Sequence, residues 1–233
     1  IRDVERSRGL GDVYKRQGFR NREVMPVFKQ YTESSYKWGI WKASESLEEL
    51  LALLPHKEKY EEGIGKFTAV SRKLEWLTVR VLLYTMLGEE KEIHYYSNGG
   101  PYLADGSFSI SISHTKGYVA VLLGEPGKRV GIDIECYSER VRKVAHKFMR
   151  EDEKKSLFKG TETWSLLLHW SAKEIMFKCM NASDVDFREH LHVMPFTPDE
   201  QGVFSAAEYR TAEKQIFQIY YYLFSDFVLT LSL

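Results

Sequence analysis

A chain of 233 residues with 43% hydrophobic and 14% aromatic content can build a sizeable core, which excludes global disorder and leaves one large domain or two small lobes open. Lys plus Arg balance Asp plus Glu at 33 each, so no net field draws the chain to nucleic acid or an anionic membrane, although a local basic pocket for one polyanionic ligand stays open. Cys136 and Cys179 are too few for a secreted disulfide scaffold and read as free thiols, and no stretch reaches the roughly 18 apolar residues of a membrane span, so a cytoplasmic protein is expected.

Residues 1–24 are polar, Arg-rich and without apolar periodicity; they are expected to be a non-native or disordered leader, with Met25 the natural start. Ser46 with Glu49 forms a capping-box pattern ahead of Leu50, Leu51, Leu53 and Leu54, and Pro55 closes that helix. Phe67, Val70, Leu74, Leu77, Val81, Tyr84 and Leu87 follow at helical steps, with Gly88 placed as a C-terminal cap. Strands are expected over 93–96, 108–113, 118–123 and 130–135, the second alternating Ile110 and Ile112 with Ser109, Ser111 and Ser113. Helices are expected over 139–149, 151–158 and 163–180, and strands over 217–224 and 227–233. Helices followed by strands, written twice, predict an α+β fold. A Gly/Pro-rich stretch near 125–128 suggests an N-terminal α+β lobe over 25–125 and a C-terminal one over 126–233.

Three short patterns carry chemistry. In Gly131-Ile132-Asp133-Ile134-Glu135, strand alternation sends Asp133 and Glu135 to one face, about 7 Å apart along the strand, and Ile132 and Ile134 to the other. Such a pair suits a hard divalent cation, though a solvated acidic face is the commoner reading. In the segment Trp170 to Lys178, helical spacing gathers Trp170, Lys173, Glu174, Phe177 and Lys178 on one broad face; Glu174 and Lys178 alone read as a surface ion pair. Ser111-Ile112-Ser113-His114-Thr115 ends a strand and offers hydroxyl and imidazole donors to an anion. There is no P-loop, no Gly-x-Gly-x-x-Gly and no nucleophile elbow.

Taken in order, these three patterns resemble the 4′-phosphopantetheinyl transferase superfamily, and the length resembles its two-lobed, Sfp-type branch. The resemblance implies two similar lobes in a pseudo-two-fold arrangement with the active site between them, and a monomer. It implies transfer of the phosphopantetheine arm of coenzyme A to a serine of an acyl, peptidyl or aryl carrier protein, without nucleic acid or membrane. It also implies a Mg²⁺ ion, with Mn²⁺ as an alternative, at Asp133, Glu135 and Glu174. Glu174 and Lys178 match catalytic positions, Glu174 as general base. Arg72, Ser113, His114, Lys173 and Lys178 match positions that contact coenzyme A. Where the family often carries Gly-Lys-Pro, this chain has Gly99-Gly100-Pro101, so one nucleotide-binding cation is expected to be missing.

Acidic carriers call for a basic or apolar groove. The segment with Lys143, Lys147 and Arg150 beside Phe148, Met149, Leu157 and Phe158 is the candidate. Two other readings stay open: a degenerate coenzyme A binder, and a metal-dependent nuclease built on Asp133, Glu135 and a lysine.

Overall fold

The structure, a computed structural model, describes residues 27–180 and 182–233; the expected leader over 1–24 and the start at Met25 lie outside them. The described residues open on a hairpin, β1 (Val27–Thr32) and β2 (Tyr36–Lys42). Three helices follow: α1 (Leu47–Ala52), α2 (Lys57–Gly65) and α3 (Val70–Leu87). Next come a short pair, β3 (Ile93–Tyr95) and β4 (Pro101–Leu103), and a longer hairpin, β5 (Ser109–Thr115) and β6 (Tyr118–Gly124). The remainder holds β7 (Gly131–Cys136), α4 (Arg140–Val144), α5 (Thr163–Cys179), β8 (Leu191–Val193), β9 (Gln201–Glu208), β10 (Ile216–Leu223) and β11 (Phe227–Ser232). This is an α+β fold. One sheet runs β1-β2-β6-β5, the other β7-β11-β10-β9-β8, with β3-β4 apart.

Two helix signals act as their chemistry requires. At α1 the Glu49 N–H donates to Ser46 Oγ at 3.2 Å while the Ser46 N–H donates to the Glu49 carboxylate at 2.8 Å. Gly88, at φ 73°, ends α3 in the left-handed region that costs glycine nothing.

Strand alternation sorts the core into three. Trp41, Val121 and Leu123 face α1 and α3, meeting Leu50, Leu77 and Leu82. Across the second sheet, Val228, Phe204 and Ile219 pack on Leu168, Ile175 and Met176 of α5. Between the sheets, Trp38, Ile40, Ala120 and Leu122 meet Ile132, Ile134, Phe227, Leu229 and Leu231. Ile132 and Ile134 thus turn inward between the sheets, and Asp133 turns toward α5. Helix α5 lies close on β7 because position 131 is glycine: a Cβ there would come within 2.8 Å of Ile175 and 2.9 Å of Cys179.

No backbone ladder joins the sheets where β5 meets β7. Instead, hydroxyls of β5 receive main-chain N–H groups of β7. Ile132 donates to Ser111 Oγ at 3.1 Å, Ile134 to Ser113 Oγ at 3.3 Å and Cys136 to Thr115 Oγ1 at 3.4 Å. The Ser/Ile alternation of β5 thus spends its apolar face on one core and its polar face on a hydroxyl seam.

Several expectations are corrected. The described residues lead with strands, not helices, and β8 and β9 are additional. The helix expected over 139–149 is only α4 with a short 3₁₀ turn, Ala145–Lys147. No helix forms over 151–158. There the Glu153 carboxylate is buried and accepts from the N–H groups of Arg150 and Val193 at 2.8 and 2.7 Å, holding a turn against β8. Of the apolar residues proposed to face a carrier, Phe148 is wholly buried and Met149 and Phe158 pack on the α5 core; Leu157, 71% exposed, is the one that faces outward.

Candidate functional site

The acidic strand and α5 face each other. Asp133, only 4% exposed, accepts from three side-chain donors. Its Oδ1 accepts from Ser113 Oγ at 2.9 Å and from Lys178 Nζ at 2.7 Å, and its Oδ2 accepts from Ser171 Oγ at 2.7 Å. Lys178 also donates to the Ile132 carbonyl at 2.9 Å, and 28% of its side chain is exposed. Two of its three ammonium protons are therefore committed, and the third has a path outward.

Glu135 is half-buried and accepts from the Trp170 indole N–H at 2.8 Å. Burial, then the charge of Asp133, raises its pKa above the usual carboxylate range, against the opposing Trp170 hydrogen bond. Glu174, one turn before Lys178, has no hydrogen-bond partner among the described residues. Burial, then the charge of Asp133, pushes its carboxyl up to about 7. These carboxylates sense one another, and Lys178 is the cation that offsets them. Among the described residues, however, no three His, Cys, Asp or Glu side chains converge closely enough to hold a metal ion as they stand.

The predicted coenzyme A contacts separate into two classes. Arg72 and His114 are exposed and both approach Glu75, Arg72 Nη1 at 3.1 Å and His114 Nε2 at 3.7 Å. Glu75 lies one helical turn after Arg72, yet only the fold could pair it with His114. Ser113 and Lys173 are inward. Strand alternation turns Ser113 away from His114, and its hydroxyl is consumed by Asp133 and by the Ile134 N–H. Lys173 is 0% exposed, its ammonium held by Glu153 at 2.9 Å and by the carbonyls of Phe148 and Phe187 at 2.6 and 3.1 Å. Both residues face inward, Ser113 donating to the buried Asp133 carboxylate and Lys173 to that of Glu153. The face that α5 was expected to share between Lys173 and Lys178 is divided, because Lys173 points into the α5 core and Lys178 toward β7.

Two residues escaped the sequence reading altogether. Ser171 and Thr230 are fully buried beside Asp133, their hydroxyls 2.6 Å apart. Small hydroxyl residues carry no signal of their own; the β7–β11 register, which sets Thr230 opposite Asp133, gives them one.

Comparison with known proteins adds the family. No curated protein matches the chain. Residues 129–232 match the model of the 4′-phosphopantetheinyl transferase superfamily. That span runs from just before β7 through β11 and holds Asp133, Glu135, Glu174 and Lys178, so over residues 129–232 the chain is similar to the 4′-phosphopantetheinyl transferase superfamily.

Proposed function

We propose that this protein transfers the 4′-phosphopantetheine arm of coenzyme A to a serine hydroxyl of an apo carrier protein, acyl, peptidyl or aryl, and releases 3′,5′-ADP. The observation that carries the reading is the pairing of Glu174, a carboxyl poised near neutrality, with the Lys178–Asp133 ion pair inside the family-matching span. In the transfer, the carrier serine oxygen forms a bond to the β-phosphorus and the bond to the bridging oxygen breaks, leaving with 3′,5′-ADP. Such steps are carried mainly by positioning and charge neutralisation. Glu174 accepts the serine proton as general base. Lys178 turns its third N–H to a phosphate oxygen. Arg72 and His114, both exposed and held near Glu75, contact the nucleotide end.

The donor chemistry fits a divalent cation: three carboxylates in a partly buried setting, two with raised pKa values, are short of positive charge. Asp133, Glu135 and Glu174 would hold it. When bound, it neutralises diphosphate charge.

The test is a mass-spectrometric transfer assay with the full chain, coenzyme A, Mg²⁺ and a panel of apo carriers. The expected result is a mass gain of one phosphopantetheine arm, lost with EDTA and in Asp133→Ala and Glu174→Ala. Coenzyme A binding with no transfer to any carrier would replace this reading with a degenerate binder.

A further inference from the structure

Two hydroxyls behind Asp133 have no part in the reaction as described. Thr230 is the cross-strand partner of Asp133 in the β7–β11 register, and Ser171 reaches down from α5 between them. Both are 0% exposed. The direction of the chain follows from proton counting. A hydroxyl has one proton, and Ser171 gives its own to the acceptor-only carboxylate of Asp133 at 2.7 Å. At the 2.6 Å contact with Thr230, Ser171 must therefore accept, and Thr230 donates. The relay runs one way, Thr230 to Ser171 to Asp133 Oδ2.

The same counting separates the two carboxylate oxygens. Oδ1 takes two donors, Ser113 and Lys178, which use both of its lone-pair directions. Oδ2 takes one among the described residues, Ser171, and keeps accepting capacity. With Ser113 on one oxygen and Ser171 on the other, the carboxylate plane cannot rotate without breaking a buried hydrogen bond.

We propose that Ser171, oriented by Thr230, is a positioning residue for Asp133: the relay locks the carboxylate so that Oδ2 is the oxygen presented to a divalent cation. This rests on the cation-assisted transfer proposed above and names residues that set the site's affinity without touching the ion. Outer hydrogen-bond partners of metal-binding groups typically account for about 10–100-fold in affinity.

The experiment titrates the full chain with Mn²⁺ alone, reading free Mn²⁺ by electron paramagnetic resonance, alongside circular dichroism and the transfer assay. Ser171→Ala should weaken Mn²⁺ binding by about tenfold, Ser171→Thr should restore it, and Thr230→Val should weaken it in the same direction by less. Should Ser171→Ala not fold, Thr230→Val, which keeps the volume and removes only the donor, decides the matter. Variants that bind Mn²⁺ as tightly as the parent chain, with transfer intact, overturn the positioning role and leave the proposed function standing. A parent chain that takes up no Mn²⁺ and transfers nothing overturns both.

Discussion

Replacing Lys173 by Met is expected to lower the melting temperature by roughly 10 °C, a larger loss than any surface substitution would bring. The ammonium lies at 0% exposure against Glu153, also 0% exposed, and it ties together Phe148, Phe187 and the segment leading into β8. Removing one member of such a pair leaves the other charge buried without compensation, which costs about 3–5 kcal/mol. At this chain length each kcal/mol moves the midpoint by roughly 2–4 °C. Lys178→Met provides the contrast: its ammonium is partly exposed and Asp133 keeps the Ser113 and Ser171 hydroxyls as donors, so it should cost less stability than Lys173→Met while abolishing transfer. Thermal melts of the two variants at neutral pH check the assignment, and a Lys173→Met midpoint within two degrees of the parent would return Lys173 to the ligand side.

Glu174→Gln is expected to produce a protein that is more stable at pH 8 without divalent ions, and that transfers at least about 100-fold more slowly. Its carboxyl titrates near 7 in the folded chain against an ordinary 4.5, because burial and then Asp133 disfavour its charge. A carboxyl raised in this way contributes its stability fully below pH 4.5 and loses it as the pH rises through 7. With chelator present, the parent chain should therefore lose stability across this window. Gln, which has no proton to lose, should flatten the slope. Discounted for partial exposure, the difference at pH 8 is about 2 kcal/mol. Denaturant titrations from pH 5 to 8 read the slope, and an unchanged slope in the variant would mean that Glu174 is solvated like any surface carboxylate.

Where one periodicity governed a segment, the sequence was readable. Alternation placed Asp133 opposite Ile132 and Ile134, the capping box placed α1, and Gly88 ended α3. Where both faces of a strand are buried, alternation disappears: β2 sends Trp38 and Ile40 to one core and Trp41 to another, and no polar beat marks it. Strand β9, rich in Ala, carries little β-propensity of its own and is made by pairing with β10. At the site, helical spacing identified a face on α5 but not its depth. Lys173 and Lys178 looked alike until Glu153, distant in sequence, came to lie against one and Asp133 against the other. Ser171, Thr230 and Glu75 act only through partners that the fold supplies.

The hydroxyl seam between β5 and β7 has a consequence for any attempt to work with residues 129–232 as a separate fragment. Strand β7 is the outer member of its sheet, and Ser111, Ser113 and Thr115 are what occupy its outward N–H groups. A fragment cut before β7 would display a bare, regular strand edge flanked by Ile132 and Ile134, a template on which another copy could add its own strand. The N-terminal sheet therefore acts as a guard against self-association as well as a support for Asp133. The fragment should elute as larger assemblies than the full chain, through the bare β7 edge together with the uncovered Ile132, Ile134, Phe227, Leu229 and Leu231.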